Sequence, residues 1–325
     1  MTMENLADGT DDFPEKIELL QRAKIIHPLL EKLRGTHRSC ENVAGFFKTS
    51  DGFPLFYRSW CRDSLNNPEN IIICLHGLHS HGEKFVLLAD KLIEQENWLV
   101  FALDLRGHGL SWKTVEDKGD IPDYEIWIRD VAEFIAMLQG KYGLTPLHIV
   151  AESMGAALAI HLVKNLETDV DDLVLLSPAV KDWKYSEFSM ITEAFTFALL
   201  SSPERGLIPN FGRSRLTSNC AEFMEYQLVD PLRMAKSSPR YYYQVVKMIH
   251  QLKLWDYTSF VPTVAFYGEK DHLVRFDGVV KFISLIKNED KALYYIPRAF
   301  HDLLTDHAAW KYNLFDKIIH WIREH

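Results

Sequence analysis

The stretch that decides the fold is "HIVAESMGAALAI", residues 148–160. It opens as an apolar run of strand character, turns at Ala151-Glu152-Ser153-Met154-Gly155, and continues through small residues in a helical pattern. A serine between strand and helix, with a small residue two places to either side, is the pattern of a nucleophile elbow. Such a turn strains the backbone so that the hydroxyl stands clear of the sheet. It survives only where neighbouring side chains are small enough for strand and helix to approach each other. Ala151, Gly155, Ala156 and Ala157 supply that smallness. The helix starting at Met154 would aim its first N–H groups at the serine, where negative charge would develop. Five residues alone carry little weight, because so short a pattern recurs by chance.

Outward from the elbow, strand and helix patterns alternate. Strands are predicted at 71–75, 98–103, 147–151, 173–176, 263–267 and 292–296, and helices near 84–94, 124–139, 154–165, 276–286 and 305–322. That alternation predicts a mostly parallel central sheet with helices on both faces, an α/β fold. Ahead of it, "VAGFFKTSDGFPLFYRSW" (43–60) reads as a hairpin with Asp51-Gly52 in the turn. The alternation stops between about 177 and 261. This part is rich in Phe, Met, Tyr and Leu, carries the turn signals "SSPERG" and "IPNFGR", and has no convincing strand. It predicts a mainly helical lid inserted into the core. The expected organisation is an N-terminal helical extension (1–40), a first core part (41–178), the lid (179–260) and a second core part (261–325).

Within the extension, residues 14–33 hold eight large aliphatic residues in a helical pattern that Pro28 breaks or kinks. Burying each is worth roughly 1.5–3 kcal/mol, so the stripe is expected to be covered. Packing on the main body is favoured, since few basic residues flank the stripe to hold anionic lipid; a membrane surface or a second subunit is the alternative.

The 325 residues, 47% hydrophobic and 25% charged, suit one large α/β domain with an insertion and exclude wholesale disorder. A formal net charge of −9 repels phosphate backbones and argues against nucleic acid as a partner. Cys40, Cys61, Cys74 and Cys220 form no CxxC pair, which reads as reduced thiols in a cytoplasmic protein, with Cys74 a core residue of "NIIICLHG". The acidic start lacks the apolar centre of a signal peptide, and no apolar run approaches a membrane span.

Three features strengthen the elbow. "CLHGLHSHG" (74–82) follows an earlier strand, and in a fold of this type the backbone N–H groups of Leu78 and Met154 would pair as an oxyanion hole. "VAFYGEKDHLV" ends a late strand with Asp271, and "YYIPRAFHDLL" places His301 just past the next one. Serine, aspartate and histidine therefore occur in the chain order of α/β-hydrolases. Asp182, beyond "LVLLSP", is a weaker candidate for the acid than Asp271.

With "DGFPLFYRSW", "LHGLHSHG", "ALDLRGHGLS", "AESMGA", "YGEKDHLV" and "FHDLL" in this order, the chain resembles α/β-hydrolases of the monoacylglycerol lipase and lysophospholipase-like branch from about residue 42 onward. The resemblance implies Ser153 as nucleophile, His301 as general base and acid, Asp271 as its orienter, and ester hydrolysis without metal or organic cofactor. Ala151 stands where the family usually has glycine, and Leu78 and His79 replace smaller residues of the oxyanion loop. Residues 1–40 have no counterpart.

Other residues have their own expectations. His76, His79 and His81 suggest a metal cluster by composition but lack an evident fourth ligand, so no metal is expected. His76 is expected to pack behind the oxyanion loop, and His76, Gly77, Phe188 and Phe195 are the candidate substrate contacts. His108 is expected to fix a glycine turn, His272 to face away, and Asp302 to cap the turn after His301. Glu152 either orders nearby loops or tunes His301. Tyr241, Tyr242 and Tyr243, with Phe188, Met190, Phe195 and Phe197, either line an acyl tunnel or form the lid's own core.

The apolar lid points to a small-molecule hydrophobic ester, such as a monoacylglycerol or a lysophospholipid. Two alternatives stand beside it. One is an aminopeptidase whose lid carboxylates (Glu187, Glu193, Glu222, Glu225) grip a substrate ammonium. The other is a non-catalytic binding protein on a hydrolase scaffold. Epoxide and haloalkane hydrolases need a carboxylate at the elbow, where this chain has Ser153.

Overall fold

In the computed structural model, the described residues are 43–62, 67–94, 97–165, 170–180, 201–205, 208–209, 217–252 and 261–325. The expectations for the N-terminal extension, and for Asp182, Glu187, Phe188, Met190, Glu193, Phe195 and Phe197, lie outside them.

Val43–Lys48 (β1) and Pro54–Trp60 (β2) form the hairpin, with Val43 opposite Ser59 and Lys48 opposite Pro54, and Gly52 takes the turn at φ +71°. Asn70–Leu75 (β3), Trp98–Leu103 (β4), Leu147–Glu152 (β5), Asp172–Leu176 (β6), Thr263–Gly268 (β9) and Lys291–Ile296 (β10) complete an eight-stranded sheet ordered β1-β2-β4-β3-β5-β6-β9-β10. From β4 to β10 every neighbouring pair is parallel; β2 runs antiparallel to both β1 and β4.

The apolar strands are buried on both faces because successive side chains alternate. Ile71, Ile73 and Leu75 enter one core layer; Ile72 and Cys74 enter the other. The first layer is covered by Glu125–Tyr142 (α2), Met154–Asn165 (α3) and Phe276–Leu285 (α6). The second is covered by Val86–Ile93 (α1) and Leu314–Glu324 (α8). Cys61, Cys74 and Cys220 are buried and form no disulfide among the described residues.

Two helices differ from the sequence reading. The one expected at 84–94 begins as a 3-10 turn, Gly82–Phe85, before α1. The one expected at 305–322 is divided into a 3-10 turn, Leu303–Thr305, then His307–Lys311 (α7), then α8. Asp306 starts α7 by accepting from the amides of Ala308 and Ala309, and Asn313 takes the left-handed conformation at φ 58°, which ends one helix and starts the next. The apolar periodicity runs through the break, so it is invisible to pattern alone.

The described part of 179–260 contains Ala221–Val229 (α4) and Pro239–Gln251 (α5), the latter capped by Ser238 accepting from the Tyr241 amide. It also holds a short antiparallel pair, Ile208–Pro209 (β7) with Lys236–Ser237 (β8), where no strand was expected. Two-residue strands leave no periodic signal to read. Among the described residues no helix is long and apolar enough to cross a membrane.

Candidate active site

Ser153 sits between β5 and α3 with φ +52°, in the strained left-handed region. Its amide donates to the Leu176 carbonyl at 2.9 Å, which holds the turn against β6. Gly155 is required by space: a Cβ there would lie 2.4 Å from the Leu75 carbonyl oxygen and 2.6 Å from that of His76. Ala151 causes no such conflict and is fully buried in the core layer beneath α3.

His301 lies in the loop after β10 and Asp271 in the loop after β9. His301 Nε2 is 3.0 Å from Ser153 Oγ, and its Nδ1 is 2.7 Å from Asp271 Oδ2. Asp271 is fixed in turn, since its Oδ1 accepts from the amides of Leu273 (2.8 Å) and Val274 (2.9 Å). With Nδ1–H donating to Asp271, Nε2 is free to accept the serine proton. Burial would push the Asp271 carboxyl up, but His301 and the two amides outweigh it and hold the group below the usual carboxylate range. Burial would push His301 down; Asp271, then Asp302 and Glu152, outweigh it and raise the imidazole above its ordinary value.

The loop after β3 packs directly on the turn at Ser153. A Cβ on Gly77 would lie 3.2 Å from Ser153 Cβ, so glycine allows this approach. Among the described residues, the amides of Leu78 and Met154 donate to no acceptor, and both residues line the pocket that holds Ser153. His76 is fully buried behind the loop rather than at the pocket wall. Its Nε2 accepts from the Leu105 amide (3.0 Å) while Nδ1–H donates to the Gly77 carbonyl (2.8 Å); burial pushes its pKa down to about 3. It is therefore a neutral strut for the loop, and Gly77 alone of the pair reaches the pocket.

His79 and His81 point elsewhere, toward Tyr242 Oη (3.1 Å) and Asp230 Oδ2 (2.7 Å). His108 bonds Tyr241 Oη at 2.9 Å and the Arg106 carbonyl at 3.2 Å, within the turn that Gly107 and Gly109 make at positive φ. Of the tyrosine run, Tyr241 and Tyr242 are buried in the core layer, Tyr243 is exposed, and none lines the pocket.

The expectation for Asp302 is corrected. Its side chain makes no cap bond; Asp306 does the capping. Asp302 Oδ1 instead lies 2.5 Å from Lys84 Nζ, and the same ammonium lies 2.5 Å from Glu152 Oε2. All three side chains are buried. Asp302 Oδ2 also accepts from Gln227 Nε2 of α4 at 3.1 Å. Sequence reading missed Lys84, because one lysine at the start of a helix gives no sign that its partners lie 68 and 218 positions away.

The pocket has two kinds of wall. Leu78, Met154, Ala179, Ile249 and Val274 give an apolar wall continuous with one core layer. Opposite in character are two polar groups, Lys84 with Asp302, Gln227 and Arg233, and His81 with Asp230. A hydroxyl bonded to an imidazole that is itself oriented by a carboxylate, with unengaged amides beside it, is suited to nucleophilic acyl transfer.

Comparison with known proteins bears on the family and the fold. The human monoglyceride lipase is 26% identical over 281 residues, covering 85% of this chain and 88% of that protein. A soluble variant of the Saccharomyces cerevisiae monoglyceride lipase, solved with a substrate analog, superposes with a TM-score of 0.73 at 17% identity, over 89% of this chain and 98% of that one. A thermostable carboxyl esterase from Bacillus coagulans, solved with glycerol, gives 0.71 at 16% identity, over 89% and 99%. At these identities the two solved structures speak for the fold alone. The hydrolase family described as "Serine aminopeptidase, S33" matches residues 66–308. With three quarters of its length matched and the sheet described above, the chain belongs to this hydrolase family and has the α/β-hydrolase fold.

Proposed function

We propose that the protein is a serine esterase acting on hydrophobic acyl esters of the monoacylglycerol or lysophospholipid type, with Ser153, His301 and Asp271 as its catalytic triad. The observation that carries this reading is the continuous Ser153–His301–Asp271 relay, 3.0 and 2.7 Å long at its two contacts, opening into a pocket with an apolar wall. The names of the human and yeast relatives support the choice of ester.

In the first step Nε2 of His301 takes the Ser153 proton as Oγ attacks the ester carbonyl. The carbonyl electron pair moves onto oxygen, where the Leu78 and Met154 amides receive it. The C–O bond to the alcohol breaks, and the leaving oxygen takes the proton from Nε2. Water then attacks the acyl-enzyme by the same route, releasing the carboxylic acid and restoring the Ser153 hydroxyl. Asp271 holds the tautomer and stabilises the imidazolium between the transfers. On this reading residues 179–260 are the lid: Phe223, Tyr226, Gln227, Arg233 and Ile249 close the pocket from their side.

A peptide-cleaving alternative is favoured by the description of the matching family. It requires a carboxylate left over to hold a substrate ammonium. Among the described residues, the carboxylates at the pocket are Glu152, Asp302 and Asp230, and each already faces Lys84 or His81. Glu222 and Glu225 do not line the pocket. The ester reading therefore stands first. Purified protein should hydrolyse p-nitrophenyl butyrate faster than aminoacyl p-nitroanilides, and Ser153→Ala should lower kcat by about four to six orders of magnitude. Faster cleavage of the anilides would transfer the site to peptides. Undiminished ester turnover by the variant would remove Ser153 from the chemistry.

A further inference from the structure

We infer that Lys84 is a positioning residue, whose bridge between Glu152 and Asp302 sets the spacing of nucleophile and histidine. The inference rests on the triad reading above and deepens it. Glu152 immediately precedes Ser153, Asp302 immediately follows His301, and Lys84 lies in the 3-10 turn Gly82–Phe85 that follows the oxyanion loop. One ammonium, 2.5 Å from each carboxylate, thus ties together the three chain segments that must meet for acyl transfer.

Stability is a weak reason for this arrangement. Burying three ions costs several kcal/mol each in desolvation, and apolar side chains of similar volume commonly do as well or better. Here the cost is only partly offset, since Glu152 Oε1 is buried without a hydrogen-bond partner. What the bridge supplies is placement and charge. Asp302 and Glu152 both favour the charged form of the ring, which must become positive in the transition state.

The charged groups facing His301 are Asp271 from the loop after β9, Glu152 from the end of β5, and Asp302 from its own loop, with Lys84 behind the last two. Burial opposes the charge of Lys84, yet its two partners outweigh that and keep it an ammonium. Lys84 also keeps Asp302 charged despite its burial. Removing the Asp302 charge therefore lowers the affinity of His301 for a proton.

The test uses the full chain and p-nitrophenyl butyrate. Lys84→Met should reduce kcat about 10- to 100-fold with KM changed less than threefold, because a misplaced triad loses transition-state rather than ground-state contacts. Lys84→Arg should recover most of the loss. Asp302→Asn should move the acid limb of the kcat/KM–pH profile to lower pH, a shift that simple loosening of the fold does not produce. A folded Lys84→Met enzyme with kcat within threefold of wild type would overturn the inference, as would an unmoved limb in Asp302→Asn; the latter decides alone if Lys84→Met fails to fold. Wild-type protein without esterase activity would instead overturn the proposed function.

Discussion

Ser153 is held at positive φ by what surrounds it, and Gly155 shows how little room the turn leaves. A methyl group there meets two backbone carbonyl oxygens rather than movable side chains. Gly155→Ala is therefore expected to destabilise the protein by about 3 kcal/mol, read from the denaturant midpoint, and to reduce esterase activity with it. A midpoint equal to wild type would mean that strand and helix can separate freely. The raised pKa of His301 carries a second expectation. The imidazole must be neutral to take the serine proton, and a raised pKa keeps it protonated to a higher pH than an ordinary histidine. The acid limb of kcat/KM should accordingly lie above the ordinary histidine range. A limb below that range would show that burial, which opposes the charge, outweighs Asp271 in solution.

At the scale of elements, β5 and α3 position Ser153, β9 and β10 position Asp271 and His301, and the loop after β3 positions the Leu78 amide, which the proposed function reads as nucleophile, acid, base and oxyanion donor. Most of these elements were legible in the sequence, because strands buried on both faces are apolar runs and helices over a sheet show a 3.6-residue stripe. The break at Asn313 was not, since it rests on one capping carboxylate and one left-handed residue. Helix α2 offers a clean control on helix energetics. Gly140 lies near its end on an exposed position, and a Cβ there would meet nothing within 4 Å. Gly140→Ala should stabilise the protein by roughly 0.5–1 kcal/mol without affecting turnover. A loss of stability would point to a contact that the described residues do not make.

For the molecule as a whole, the pocket lies where the catalytic loops meet the elements inserted between β6 and β9, and its apolar wall continues one core layer. An acyl chain along that wall gains about 0.8 kcal/mol for each methylene taken out of water. Two further buried methylenes give roughly a tenfold gain in kcat/KM, so p-nitrophenyl decanoate is expected to exceed the butyrate by at least that factor. Comparing the two esters below their micellar concentrations measures it, and equal values would mean that the chain does not follow the apolar wall.

The sequence by itself determined the turn at Ser153, the order of Ser153, Asp271 and His301 along the chain, and the alternation that makes a parallel sheet, because each is written in local motifs and in their order. Tertiary structure alone decided that Asp302 joins Lys84 rather than capping a turn, and that Tyr241 and Tyr242 join a core layer rather than the pocket wall. Those outcomes depend on which strand lies beside which and on what burial leaves within hydrogen-bonding reach. Contacts between groups 68 or 218 positions apart have no period for a sequence to display.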